Sequence, residues 1–76
     1  MNDAEKEEQF INVIEVNKVI LYKVVNTYCK DLEDRKDVVQ ETILQLRWSF
    51  DSYNQEFKHS TWMYRIASIY LYQLLR

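Results

Sequence analysis

The sequence predicts an all-α fold, a bundle of three helices whose first member is long. Three observations carry this. The 76 residues contain neither glycine nor proline. Hairpin turns and β-bulges lean on both, so a sandwich or barrel is a poor fit. Apolar residues recur near the helical period in three stretches, and two polar segments, 30–35 and 51–59, divide them. The missing glycines also exclude Rossmann and P-loop phosphate sites, where backbone must approach phosphate.

The first helix is expected from about Asp3 to Lys30. Phe10, Ile14, Leu21, Val24 and Tyr28 mark its apolar stripe, widened by Ile11, Val13, Ile20 and Val25. Asn2 followed by Glu5 resembles a capping box, and Glu5, Glu7 and Glu8 suit a helix N-terminus. Asp31 is the expected N-cap of the second helix, with Asp34 at its third position. That helix runs to about Ser52, with Val38, Val39, Thr42, Ile43, Leu46 and Phe50 inward. Asp37, Gln40, Glu41, Leu44, Gln45 and Trp48 share another face, because residues three and four apart are neighbours. The third helix starts between Gln55 and Thr61 and runs to Arg76. Met63, Ile66, Ala67, Tyr70 and Leu74 form its core side. Thr61, Arg65, Ser68, Ile69, Tyr72 and Arg76 form a second face.

The length supports a single domain with little room for a deep pocket. One cysteine, Cys29, excludes an internal disulfide and a cysteine zinc site, which fits a reducing, cytoplasmic setting. Cys29 reads as a small buried apolar residue. The single histidine, His59, has no nucleophile beside it, so no enzymatic activity, metal or cofactor is expected. No apolar run is long enough for a membrane span.

Charge is uneven along the chain. Residues 1–41 hold ten acids and six bases, whereas 42–76 hold two acids and four bases. Eight of the eleven aromatics also fall in the second stretch. Bases interleaved with aromatics suit single-stranded nucleic acid, where rings stack on bases and cations track phosphates. The plain alternative is that these aromatics are core. Trp62 carries both readings, core residue or stacking platform. Arg65 and Arg76 are either phosphate contacts or cations placed favourably towards a helix C-terminus. Asp37, Gln40 and Glu41 read from composition alone as a solvated face.

Two motifs carry a family resemblance. Asp34-Arg35-Lys36-Asp37-Val38-Val39-Gln40-Glu41-Thr42-Ile43-Leu44-Gln45-Leu46 resembles the helix after the acidic turn in bacterial extracytoplasmic-function (ECF) sigma factors of the sigma-70 family. Lys58-His59-Ser60-Thr61-Trp62-Met63-Tyr64-Arg65-Ile66-Ala67 resembles their Thr-Trp-Leu-Tyr-Arg-Ile-Ala signature. Order and separation also match, over roughly residues 8–76, and the likeness is nearest to Bacteroidetes members.

The resemblance implies a sigma region 2 domain spanning 1–76, one piece of a longer protein that continues into a linker and region 4. It implies binding to the clamp coiled coil of core RNA polymerase through Asp37, Gln40, Glu41 and Leu44. It implies capture of the promoter −10 non-template strand by the loop containing Asn54, Gln55, Lys58 and His59. Thr61, Trp62, Arg65 and Arg76 would then track the melted DNA. An anti-sigma factor is a further implied partner. The chain departs from the family pattern at Asn54-Gln55, where Arg-Gly is common, and at His59, where Phe is common. It departs again at Arg47-Trp48, Ile69 and Gln73. These departures motivate a second reading: a helical protein-interaction adaptor that keeps the fold without binding DNA.

Overall fold

The computed structural model describes residues 3–53 and 58–75. They form four helices: α1 (Asp3–Val16), α2 (Lys18–Tyr28), α3 (Leu32–Phe50) and α4 (His59–Leu75). Among the described residues there is no strand. The all-α class is as the sequence predicts. The expected single long first helix is instead two.

The break falls at Asn17, whose φ of −110° and ψ of 16° leave the helical region. The backbone ladder runs through it: Asn17 N–H donates to the Val13 carbonyl at 3.1 Å, and Leu21 N–H to the Asn17 carbonyl at 3.2 Å. The Asn17 side chain supplies the cause. Its Nδ2 also donates to the Val13 carbonyl, at 2.9 Å. A short polar side chain bonded to the carbonyl four residues back competes with the ladder and bends the helix. The proposed Asn2 cap lies outside the described residues.

The second break is as expected. Asp31 is the N-cap of α3, its carboxylate accepting from Glu33 N–H at 2.8 Å, and Glu33 and Asp34 sit in the first turn. Cys29 is buried beside it. Helix α3 ends in a tight turn, with Ser52 N–H donating to the Ser49 carbonyl and Tyr53 N–H to the Phe50 carbonyl.

Helix α4 packs against both α2 and α3, and α1 contacts both α2 and α3. That placement gives α4 a broad buried side: Trp62, Met63, Ala67 and Leu71. Leu21, Val25, Leu46, Met63 and Leu71 are fully enclosed, each worth about 1.5–3 kcal/mol of apolar burial. The Thr42 hydroxyl is buried among them and donates to the Val38 carbonyl at 2.7 Å, so it is satisfied. Leu71 belongs to the core although the expected stripe omitted it. Ile11, Tyr28 and Leu74 fall on the predicted core stripes but are exposed.

An ionic clasp joins α1 to the end of α3. Lys6 Nζ and Arg47 Nη1 both reach Asp51 Oδ1, at 2.9 and 3.0 Å, and Arg47 Nε bonds Glu7. The Arg47 guanidinium also lies 5.9 Å from the centre of the Phe10 ring. Hydrogen bonds from Lys6 and then Arg47 hold the Asp51 carboxyl below its ordinary range.

Candidate functional site

The outer side of α3 displays the first predicted group. Asp37, Gln40, Glu41 and Leu44 are all exposed and lie three or four residues apart, one patch along the helix. Leu44 and Trp48 add apolar surface to it, at 57% and 69% exposure. A patch of carboxylates, an amide and exposed apolar side chains is suited to a protein partner with basic and apolar groups. Across the helix pair, the Tyr70 hydroxyl donates to Glu41 Oε2 at 3.5 Å. Desolvation, with Glu41 nearby, moves the phenol's pKa above its ordinary value.

The second group is gathered at the start of α4. Lys58, His59, Thr61 and Arg65 are exposed. Asn54, Gln55 and Arg76 lie outside the described residues. Trp62 is only 6% exposed and belongs to the core. Its ring centre is 5.7 Å from that of Phe50 and 5.2 Å from that of Tyr53. Phe10 extends this cluster through Phe50, and His59 extends it through Tyr53 at 5.2 Å. Trp62 is therefore packed against Phe50 and Tyr53 and is not an open stacking surface. The rings pin Tyr53 on one side of the loop to His59 and Trp62 on the other. The Asp51 clasp holds the chain two residues earlier.

Open aromatic surface on α4 comes instead from Tyr64 and Tyr72, beside Ile69, all more than half exposed. Tyr64 falls within the second motif, which implies no role for it. Its position three residues after Thr61 was the available signal. Between α2 and α4 lies a groove of about 460 Å³ with Tyr28 and Tyr64 in its walls. Lys23 and Thr27 from α2 and Ser60, Thr61 and Ser68 from α4 also line it. Periodicity marks that side of α2 as core stripe and carries no sign of the groove. Among the described residues no cluster of metal-ligating side chains exists, and no helix is long and apolar enough to cross a membrane.

A family model for sigma-70 region 2 matches residues 13–76. The chain is similar to the ECF RNA polymerase sigma factor SigW of Bacillus subtilis (strain 168), with 26% identity over 62 residues. That match covers 82% of this chain and 33% of the relative, so the chain spans about a third of the relative's length. No solved structure matches significantly. Four helices with the two motifs on α3 and α4, and a family match that takes in all of α2, α3 and the described α4, lead to one assignment: the chain belongs to the sigma-70 region 2 family.

Proposed function

We propose that this chain acts in transcription initiation as the region 2 domain of an ECF-type sigma factor, without enzymatic activity of its own. The observation that carries this is the exposed quartet Asp37, Gln40, Glu41 and Leu44, in a chain of this family. In this reading α3 docks on the clamp coiled coil of core RNA polymerase. The loop and α4 then face the non-template strand of the −10 element. Opening the duplex costs a few kcal/mol of stacking per base, which a pocket and aromatic contact recover. Lys58, Arg65 and Arg76 supply phosphate contacts, and Thr61 and His59 polar contacts. Asn54 and Gln55, outside the described residues, complete the proposed contacts. Trp62 acts through its packing against Phe50 and Tyr53. An anti-sigma factor would act by covering either face.

The direct experiment is binding of the domain to core polymerase, or to its isolated clamp coiled coil, beside the Glu41→Lys variant. The reading expects binding that the variant loses while keeping wild-type helicity. Equal binding by folded wild type and variant would remove α3 as the interface.

A second reading, a protein-binding adaptor without DNA contact, is favoured by Ile69, 56% exposed on the α4 face where the family pattern is polar. It expects no salt-sensitive binding to a −10-like single strand. Binding that weakens steeply with salt would eliminate it.

A further inference from the structure

We propose that α1 is a strap, hinged at Asn17, that opens and closes on the end of α3 under ionic control. Closed, it completes a chain of rings that reaches the start of α4. Open, it bares Phe50 and loosens that chain.

The strap's apolar hold is light. Residues 3–9 include no buried side chain, and Phe10 and Val13 are the two buried residues of α1. Helix α3 buries five. An element with few buried apolar contacts opens locally while the rest of the fold stays closed. The remaining hold is ionic and faces water. Glu7, which bonds Arg47, and Asp51, which takes both Lys6 and Arg47, have side chains 52% and 55% exposed. Salt screens pairs placed in this way. A hinge stands where the strap turns. Asn17 leaves the helical region, and its side chain and its backbone N–H both donate to the Val13 carbonyl. With two donors on one carbonyl, the bend can turn on one bond while the other keeps the carbonyl paired.

The closed strap reaches beyond α1. The Phe10 and Phe50 ring centres are 5.4 Å apart, and those of Phe50 and Trp62 are 5.7 Å apart. Tyr53 packs on both Phe50 and Trp62. His59, the first residue of α4, lies 5.2 Å from Tyr53. Phe10 is thus one end of a packed ring chain and His59 the other, so the strap and the start of α4 are physically contiguous. The family match begins at residue 13, after Lys6, Glu7 and Phe10. The strap's contacts are therefore this chain's own and stand apart from the proposed function.

Residue-resolved hydrogen exchange tests this at about 0.05 and 0.5 M salt. It compares wild type with a variant carrying both Glu7→Gln and Asp51→Asn. In wild type, amides of residues 7–13 should exchange at least about tenfold faster than those of Leu46 and Met63. Salt should speed the α1 amides about threefold and leave the core amides unchanged. The double variant should show the high-salt rate at both salt concentrations, because salt and substitution remove the same contacts. Phe10→Ala tests the reach. The Trp62 N–H donates to the Lys58 carbonyl at 3.0 Å and reports on the start of α4. Its exchange should quicken about threefold in Phe10→Ala, while that of Leu71, further along α4, should not. If circular dichroism shows Phe10→Ala unfolded, Phe10→Leu removes the ring and keeps the apolar bulk.

Exchange of α1 as slow as that of the core would show that α1 opens only with the whole fold, and would overturn the strap. So would α1 and core amides quickening together with salt. A Trp62 amide indifferent to loss of the Phe10 ring would overturn the reach to α4. None of these outcomes touches the polymerase-binding reading of α3, which the Glu41→Lys comparison decides separately.

Discussion

The Tyr70 phenol on α4 donates to Glu41 Oε2 on α3 across 3.5 Å, joining the exposed side of one helix to its neighbour. The bond is long and therefore weak. Its consequence is orientation: the Glu41 carboxylate is held on the α4 side of the exposed patch. Burial first, and Glu41 second, keep the Tyr70 phenol protonated beyond its ordinary range.

Replacing Tyr70 by Phe separates these effects. Net stability at neutral pH should change by less than about 1.5 kcal/mol, the range for one hydrogen bond. The alkaline limb is more diagnostic. A phenol whose folded pKa lies above its unfolded value near 10 contributes stability that is complete below the unfolded value. That stability is lost as pH rises through the folded one. Thermal melts of wild type should therefore decline more steeply above about pH 10 than those of Tyr70→Phe. Parallel declines would show that this phenol is not coupled to folding.

The Asp51 clasp has the opposite sign. Lys6 and then Arg47 lower its pKa from 3.8, so its contribution is present above that value and disappears as pH falls through the depressed one. Asp51→Asn should melt below wild type at neutral pH and low salt. The gap should shrink below about pH 4 and at high salt, where exposed ion pairs are screened. Melting curves at two pH values and two salt concentrations check this. A gap unaffected by salt would mean that Asp51 acts through its turn at the end of α3 and not through its cations.

Trp62 is expected to behave as core. Trp62→Ala should cost about 3–5 kcal/mol, enough to unfold much of a marginally stable small domain. Trp62→Phe, which keeps a ring against Phe50 and Tyr53, should remain folded and bind a single strand within about twofold of wild type, well short of the loss from removing a stacked base. A second measurement avoids mutating it. In a Trp48→Phe variant Trp62 is the remaining indole, and its emission should resist acrylamide and stay unchanged on strand binding. Quenching by the strand would return Trp62 to the role of stacking platform.

Much of the architecture was legible because it is local. Asp31 caps α3 as its residue type and position indicate, and the α3 stripe of Val38, Val39, Thr42, Leu46 and Phe50 is buried as its spacing predicts. The exposure of Asp37, Gln40, Glu41 and Leu44 also follows from that spacing. Asn17 was not legible as a break, because neither glycine nor proline marks it and apolar periodicity runs through it. Only its side-chain bond to Val13 reveals the competition. Trp62 and Met63 are consecutive and both buried, since α4 contacts both α2 and α3. Arg47 and Glu7 are 40 residues apart, and the groove is built from two helices. Neither has a signature along the chain, because tertiary packing creates both.

The cap of α3 gives the last prediction. Asp31 accepts from Glu33 N–H at 2.8 Å and so satisfies one of the donors that a helix N-terminus leaves unpaired. Asp31→Ala removes the acceptor and the favourable negative charge, at a cost of about 1 kcal/mol. For a domain of this size that is a fall in Tm of roughly 4–8 °C. Asp31→Ser should recover most of it, because a hydroxyl also caps. Polymerase affinity should move far less than in Glu41→Lys. The lost cap frays the first turn, around Leu32–Asp34, whereas Glu41 sits about two turns further along. A Tm unchanged by Asp31→Ala would mean that packing of Val38 and Val39 alone fixes where α3 begins. An affinity loss matching that of Glu41→Lys would instead place the partner contact at the N-terminus of α3.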